Sequence, residues 1–489
     1  MSQQDTSVSL RKQAAAGGRW TTISAVASVT IQLLQLAALG RLLEPTDFGL
    51  MAMMMVVIAL ATSIADFGMG NYLVQITTLS RQFFNRLFAL SLVLSVVLFG
   101  VIVVSASWFA EYFDSPRLKE FLPWLGLVVV ASAVSQVYFS VLQRAFKFKV
   151  IAVVDVISAF FGLFMSVGLA LYGYGVWSLI GGQLALNFTK AVIFYKPVLI
   201  ALQEVPPTCE GRIGYALRFG YFQLGERMLN FASWNLDKII IGKMLGDGAL
   251  GIYSVAYQLV MRPFAVFNPI FTRVSLPIFS KIKNDNVRLR SGYLDVVRII
   301  ALISFPVYLG IAIAAPAIVN ILLGPKWVEA APVVSILCGL GFIFSLGNPI
   351  GSLILAKGRA ELGFYYNLLA LFIYAAAYYV GSAYGLFGVA ISFVIVAGAI
   401  IYPLEIILRW QLIGMGAIEY FSAIKHHLTG ATLPLLVYIY FDINKLMPAN
   451  IAEQLMAGAG GAAFFVVYLW FTERALIRST LALVSDRKK

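Results

Sequence analysis

The sequence predicts an all-α polytopic membrane protein with about 14 transmembrane helices, forming two parallel six-helix lobes around a central cavity plus two extra C-terminal helices. Three observations predict this fold class: the composition, a series of long apolar runs, and an internal repeat. Hydrophobic residues make up 60% of the chain, charged residues only 12%, and the mean hydropathy is +0.87. A soluble core cannot bury so many apolar side chains, whereas a bilayer can.

The apolar runs define the spans in chain order, because about 20 such residues are needed to cross a bilayer as a helix. Residues 1–18 are polar, and the run that begins at Trp20 is longer than a signal-peptide core, so we expect it to be retained as the first span. Lys425, His426 and His427 leave only a short apolar run for the thirteenth span. The other predicted spans are 48–67, 87–109, 121–143, 150–171, 176–195, 213–235, 249–272, 299–323, 330–355, 363–383, 386–408, 428–441 and 451–471.

The basic residues predict the orientation of these spans. Most of the 36 Lys and Arg residues fall in alternate links and in the two tails, which places both termini in the cytoplasm. The net charge of +13 therefore reflects topology, and no basic-aromatic module indicates a nucleic-acid partner. Outer links such as 172–175 and 382–387 are too short for an extracytoplasmic catalytic domain. Cys209 and Cys338 lie in a link and in an apolar run, a placement that predicts neither a disulfide nor a metal site.

An internal repeat relates the first hairpins of the two halves. Gly40-Arg41-Leu42-Leu43 followed by Gly49 matches Gly242-Lys243-Met244-Leu245 followed by Gly251, with the same gap between the glycines. Six spans per copy keep the copies parallel, and such repeats usually hold their substrate between them. The predicted domains are residues 1–200 for the N-terminal lobe (spans 1–6), 201–412 for the C-terminal lobe (spans 7–12), and 413–489 for spans 13–14 and a cytoplasmic tail.

The stretch from Arg218 to Lys243 predicts a helix with a polar seam. Polar residues recur there at spacings of three and four, so they share one helical face, and they include Glu226, Arg227, Asn230 and Asp237. Because charges inside a bilayer are costly, this face is expected to line a polar path through the helices. Transport is the function that this pattern favours.

A family resemblance rests on the residues of these hairpins. The first carries Gly40-Arg41-Leu42-Leu43-x-Pro45-x-Asp47-Phe48-Gly49, and the second carries Leu245-Gly246 with Leu250-Gly251-x-Tyr253, later followed by Leu323-Gly324-x-x-Trp327. The combination, from about residue 15 to 410, resembles the polysaccharide transporters of the multidrug/oligosaccharidyl-lipid/polysaccharide flippase superfamily, in the branch of the Wzx-type colanic-acid and lipopolysaccharide exporters. The resemblance implies a flippase for undecaprenyl-pyrophosphate-linked sugar repeat units in the bacterial inner membrane.

Such a substrate needs a wet, cationic cavity for its pyrophosphate and sugars and an apolar opening for its lipid tail. Arg227 and Arg262 lie in mid-span, and Arg273 lies nearer the cytoplasm, so all three are candidates to bind the pyrophosphate. Two alternatives stay open: Arg227 could pair with Glu226 or Asp66, and Arg273 could extend to the membrane interface. Lys190 and Arg218 are expected to be topology anchors.

The remaining candidates would contact sugar or a coupling cation. They are Glu226, Asn230, Asp237, Asp66, Gln32 and Gln35. The glutamines could equally make packing contacts between helices, and Asp66 and Asp155 could bind H⁺ or Na⁺ or pair with a basic neighbour. No cofactor or metal is expected. The expected partners are the lipid-linked oligosaccharide, inner-membrane lipids, and a polysaccharide polymerase with its export machinery. Three other functions stay open: a cation-coupled drug antiporter of the same superfamily, a membrane glycosyltransferase or polymerase, and a non-transporting scaffold.

Overall fold

The computed structural model describes residues 3–76, 79–203, 205–206, 213–444 and 450–474, without the side chains of residues 3–17, Glu226, Arg273 and some others. This part of the chain is built from helices. A 3₁₀ turn, Pro325–Trp327, follows the ninth α-helix, and a π-helical turn, Ala397–Ile401, joins the twelfth to the thirteenth. The α-helices are α1 (Gln3–Leu42), α2 (Pro45–Asp66), α3 (Met69–Gln75), α4 (Arg81–Tyr112), α5 (Arg117–Arg144), α6 (Phe148–Leu171), α7 (Val176–Gln203), α8 (Ile213–Ile282), α9 (Asn286–Leu323), α10 (Ala330–Ala356), α11 (Ala360–Ser382), α12 (Gly385–Val396), α13 (Tyr402–Ile413), α14 (Ala417–Ile443) and α15 (Ile451–Thr472).

The prediction of an all-α polytopic membrane protein is confirmed. Within the described residues, 12 helices are long and apolar enough to cross a membrane, and α12 and α13 count as one of them. Helix also covers two further predicted spans: α8 contains both the seventh and the eighth, and α14, which is not among those 12, contains the thirteenth. The sequence did not predict the short helix α3 that follows the second span.

A break at Gly246 divides α8 into the two predicted spans. Gly246 has φ 82° and ψ −176°, a conformation that is accessible to glycine and strained for other residues. In the internal repeat, Gly246 corresponds to Glu44, the extended residue that precedes α2. The second hairpin therefore copies the first, except that it turns at a single glycine.

The two copies of the repeat cross where their second helices begin. A Cβ atom on Gly49 would overlap the backbone carbonyl of Asp247, and a Cβ atom on Gly251 would overlap the carbonyl of Pro45. Pro45 and Asp247 occupy equivalent positions in the repeat, as do Gly49 and Gly251, so the contact is locally symmetric. The glycines that revealed the repeat in the sequence therefore allow the backbones of its two copies to come into contact.

The chain divides into two compact units, Met1–Gly251 and Ile252–Lys489. In the first unit, α6 and α7 approach closely through small residues, because a Cβ atom on Gly162 would lie 3.1 Å from the carbonyl oxygen of Gly182. The hydrophobic core of this unit that is formed by α3, α4, α5, the start of α6 and the end of α7 includes Phe83, Tyr138 and Phe194. The predicted lobe boundary near residue 200 stays a prediction.

In the second unit, α15 packs against α9 and α14. Gly458 fits against the backbone of Gly310, and Gly461 fits against the side chain of Ile313. Glycines in a packed membrane helix commonly serve this purpose, since they let backbones approach. Close packing of α15 against α9 is thus present at Gly458 and Gly461, whereas a Cβ atom on Gly460 would meet open space.

A buried charged cluster lies at α13 of the same unit. Glu405 and Arg409 form an ion pair at 3.6 Å, and the Arg409 side chain is only 1% exposed. Tyr366 donates a hydrogen bond of 2.9 Å to Glu405, and the Arg409 guanidinium lies 4.1 Å from the ring centre of Tyr420. Tyr366 belongs to α11 and Tyr420 to α14, so the cluster ties three helices together. Sequence reasoning missed it, although the spacing of Glu405 and Arg409 inside an apolar run was a visible signal.

Candidate functional site

A polar cavity of about 270 Å³ lies within the first unit. It is lined by the C-terminal half of α2, the middle of α5, and α8 before its break. Its lining residues are Thr62, Ser63, Ala65, Asp66, Val129, Ser132, Ala133, Gln136 and Arg227. The cavity brings together two of the predicted site residues, Asp66 and Arg227, which are far apart in sequence.

Asp66 and Arg227 form an ion pair in this cavity, between Asp66 Oδ2 and Arg227 Nη1. The side chain of Asp66 is 12% exposed and that of Arg227 is 28% exposed. The other carboxylate oxygen, Oδ1, accepts a hydrogen bond of 3.3 Å from the backbone N–H of Gly70. This contact is possible because the chain turns through two left-handed residues, Phe67 and Gly68, between α2 and α3. Of the two pairings that the sequence left open for Arg227, the structure contains the one with Asp66.

Hydroxyl and amide groups surround this ion pair. Thr62 donates a hydrogen bond of 2.9 Å to the carbonyl of Ile58, so its oxygen remains available as an acceptor. Ser132 donates to Asn187 Oδ1 over 3.1 Å, which connects the cavity wall to α7. The amide of Gln136 adds both a donor and acceptors. These groups can bind hydroxyls, and sequence reasoning did not identify Thr62, Ser132 or Asn187.

The two glutamines of α1 do not line this cavity. Gln35 donates a hydrogen bond of 2.9 Å to Ser166 Oγ on α6, and Gln32 is half-buried. The bond of Gln35 matches the packing alternative that the sequence left open, since amides inside a membrane often join helices. A sugar-binding role for Gln32 and Gln35 stays a prediction.

The other predicted site residues of α8 differ in how exposed their side chains are. Asn230 is exposed, whereas Asp237 is 4% exposed and accepts a hydrogen bond of 2.8 Å from the backbone N–H of Lys238. Arg262 is half-buried and belongs to the second unit. The side chains of Glu226 and Arg273 lie outside the described residues. Roles in binding for all five remain predictions.

A second ion pair in the first unit joins Lys190 of α7 to Asp155 of α6 at 2.8 Å. The expectation that Lys190 is a topology anchor stays a prediction, although α7 continues beyond it to Gln203. Lys190 lies about 21 Å along the helix from Val176, near its middle. Both side chains are 28% exposed, and the pairing is one of the two alternatives that the sequence left open for Asp155.

An apolar cavity of about 370 Å³ lies within the second unit. It is bounded by α9, α14 and α15, and the lack of a side chain at Gly460 and Gly461 leaves room for it. Its lining residues are Ile313, Leu433, Pro434, Val437, Tyr438, Phe441, Ala457, Gly460, Gly461 and Phe464. The surface of this cavity suits a hydrocarbon chain.

These features define a multi-pass membrane protein with a charge-paired polar cavity in one unit and an apolar cavity in the other. The sequence family described as "Polysaccharide biosynthesis protein" matches residues 38–332, and the chain belongs to this family.

Curated relatives match over most of their length. The chain is 29% identical over 398 residues to the lipopolysaccharide biosynthesis protein WzxC of Escherichia coli (strain K12), covering 80% of this chain and 79% of WzxC. It is 30% identical over 371 residues to the teichuronic acid biosynthesis protein TuaB of Bacillus subtilis (strain 168), covering 75% of this chain and 76% of TuaB.

Two groups of solved structures share the fold. The lipid II flippase MurJ in an inward closed conformation superimposes with a TM-score of 0.72 at 14% identity, covering 95% of this chain and 100% of MurJ. An inward-facing multidrug resistance transporter of the MATE family superimposes with a TM-score of 0.57 at 17% identity, covering 80% of this chain and 98% of the transporter. The likeness establishes that the described helices share the fold of these two proteins.

Proposed function

We propose that the protein is a flippase that moves undecaprenyl-pyrophosphate-linked oligosaccharide repeat units from the inner to the outer leaflet of the bacterial inner membrane. The oligosaccharide would serve a surface polysaccharide, either lipopolysaccharide O-antigen or an exopolysaccharide. The observation that carries the proposal is the Asp66–Arg227 pair in a hydroxyl-lined cavity inside a membrane-embedded unit. The family, and the names of the two curated relatives, support the same substrate class.

Each part of such a substrate has a matching surface. The guanidinium of Arg227 suits a phosphate, because its fork of N–H donors binds two oxygens at once. The groups around it, Thr62, Ser132 and Gln136, suit sugar hydroxyls. The lining of the apolar cavity, taken within the second unit alone, is of the kind that binds a hydrocarbon chain. Translocation by alternating access needs shielding of polar groups and requires no bond to be made or broken, so the proposal includes no enzymatic step.

Two further basic residues are part of the proposal, because the sequence predicts one in mid-span and the other nearer the cytoplasm. Arg262, and Arg273 nearer the cytoplasm, are further candidates to bind the pyrophosphate. Glu226, Asn230 and Asp237 would contact sugar or a coupling cation. Inner-membrane lipids would surround the protein, and a polymerase with its export machinery would receive the flipped product.

A second candidate function is cation-coupled antiport of small molecules, which the shared fold with MATE transporters favours. The charges of the polar cavity oppose it, since Arg227 neutralises the carboxylate of Asp66 and lowers the attraction for a cationic drug. Transport of ethidium by the purified protein, without transport of lipid-linked sugar, would support the antiporter.

Flipping can be tested directly with purified protein in liposomes and a fluorescently labelled lipid-linked oligosaccharide. We expect the wild-type protein to move the label across the bilayer, and the double variant Asp66→Asn/Arg227→Gln to be at least about tenfold slower. The double variant removes both charges, so neither partner is left as an unpaired charge that would destabilise the fold. Arg288→Ala is a suitable control, because Arg288 is 79% exposed and distant in sequence from the cavity. Equal rates in the wild type and the double variant would refute the proposed site.

The orientation is a separate prediction. A reporter fused after Lys489 is expected to be cytoplasmic, because fourteen crossings return the chain to the side of its N-terminus and the last residues, Arg487, Lys488 and Lys489, are basic. If a reporter that is active only in the periplasm were active at this position, the chain would have one crossing fewer than predicted. The crossing by α14 would be the first to be reassigned.

A further inference from the structure

The tripeptide Asn-Pro-Ile occurs twice in the second unit, each time with a phenylalanine four residues before its asparagine. One copy is residues 264–270 in α8, after the break of that helix, and the other is residues 344–350 in α10. The two asparagines, Asn268 and Asn348, are 80 residues apart in the sequence. This duplication is separate from the repeat of the first hairpins, because both copies lie within the second half of that repeat.

The fold brings equivalent residues of the two copies into contact. Asn348 Nδ2 donates a hydrogen bond to Asn268 Oδ1, and the ring centres of Phe264 and Phe344 are 6.4 Å apart. Because both pairs join equivalent positions in the same order, α8 and α10 run side by side in the same direction here. The two prolines that follow the asparagines are therefore at the same depth.

Each proline takes one hydrogen bond out of its helix. Proline has no backbone N–H, so the carbonyl groups of Ala265 and Ser345, four residues earlier, lose their usual donor in the helix ladder. Asn348 Oδ1 is buried, and within the described residues it accepts no hydrogen bond. Asn268 Oδ1 already accepts from Thr272 Oγ1 over 3.2 Å. The place where the helices meet therefore has more acceptors than donors, which favours a ligand that donates hydrogen bonds.

The surroundings of the two asparagines have room for such a ligand. Both side chains are half-buried, Thr272 is exposed, and a Cβ atom on Gly351, about one turn beyond Asn348, would meet no other atom within 4 Å. Polar side chains within a span normally face a protein interior or a watery cavity. The candidate pyrophosphate ligand Arg262 precedes Asn268 by six residues, about 9 Å along α8. A sugar joined directly to the pyrophosphate would therefore lie near the asparagines.

We propose that Asn268 and Asn348 bind hydroxyl groups of the sugar that follows the pyrophosphate. A hydroxyl would donate to Asn348 Oδ1 or to a carbonyl freed by a proline, and it would accept from the amide N–H groups of Asn268. Neither helix has a complete ladder at this depth, so α8 and α10 can bend apart to admit the sugar. The inference rests on the proposed function, because it takes the lipid-linked oligosaccharide as the ligand.

Such a site would recognise the sugar and not the pyrophosphate. A polar group that pairs with the correct hydroxyl is left unpaired by a sugar that lacks it, and an unpaired buried amide costs free energy. The two asparagines would therefore contribute to specificity among lipid-linked sugars and add nothing to the affinity for undecaprenyl pyrophosphate alone. An amide pair that only packs two helices together predicts a different result, because its loss affects the binding of both lipids equally.

The test compares two lipids: the lipid-linked oligosaccharide that accumulates in cells from which the gene is deleted, and undecaprenyl pyrophosphate alone. Their dissociation constants are measured by native mass spectrometry of the full-length protein in detergent. The variant is Asn268→Leu/Asn348→Leu, which keeps the approximate side-chain volume and removes both partners of the hydrogen bond at once, a change that is nearly neutral for stability. Asn320→Leu is the matched control, because Asn320 is exposed near the end of α9 in the same unit.

We expect the double variant to bind the lipid-linked oligosaccharide at least about tenfold more weakly than the wild type and the control do, and to bind undecaprenyl pyrophosphate with unchanged affinity. Equal losses for both lipids, or no loss for either, would overturn the inference, as would a wild type that binds the two lipids equally. The flippase proposal would stand in each of these cases. If the wild type binds neither lipid, the proposed function itself fails, and the inference with it.

Discussion

A disulfide between cysteines at positions 46 and 248 is expected to abolish export almost completely, and its reduction is expected to restore export. A Cβ atom on Gly248 would lie 3.7 Å from Cγ2 of Thr46, which is compatible with the short Cβ separation that a disulfide requires. The two residues flank the glycine crossing at Gly49 and Gly251. A cavity that opens alternately to the two sides must separate its helices at one end, and this crossing is the proposed outer end.

The measurement is export per unit of membrane-inserted protein for Thr46→Cys/Gly248→Cys, in a background that lacks Cys209 and Cys338. The protein is oxidised and then treated with a reductant. Each single cysteine variant is the control, because it carries the substitution without the bond. Undiminished export by a fully cross-linked protein would mean that the crossing stays closed throughout the cycle.

Arg262→Ala is expected to leave the protein inserted and abundant but to reduce export by at least about tenfold, since it would remove the proposed charge-assisted contact with the pyrophosphate. Arg262→Lys should restore only part of the activity, because a lysine presents a point charge without the fork of donors. Export is again measured per unit of inserted protein, and Arg288→Ala serves as the exposed control.

A purely structural Arg262 would give a different result. Its loss would lower the amount of inserted protein, because a buried partner would be left unpaired. Neutralising the partner carboxylate, with Glu226 and Asp66 the first to try, should then restore the amount of protein; in the structure Asp66 pairs with Arg227. Normal export per inserted molecule in Arg262→Ala would remove Arg262 from the proposed site.

Part of the candidate site could be predicted from the sequence. Arg227 and Asp66 were both recognisable as charged residues next to or inside apolar runs, where a charge is costly and indicates a functional site or an ion pair. Which carboxylate Arg227 would pair with was not predictable, because Glu226, its neighbour in sequence, was the other candidate. Thr62, Ser132 and Asn187 were missed because hydroxyls and amides in apolar runs are common and carry no signal without their position on the packed helices.

By itself, the sequence determined the membrane-embedded helical class, the order of the spans, the internal repeat and the family. These properties follow from the length and composition of local segments, and from residues that match between related chains. The tertiary structure decided the charge partners Asp66–Arg227 and Asp155–Lys190 and the buried Glu405–Arg409 cluster with its tyrosines. It also decided that the repeat glycines touch across two helices. Such contacts depend on how each helix is rotated and where it crosses its neighbours, and the packing of side chains distant in sequence sets both.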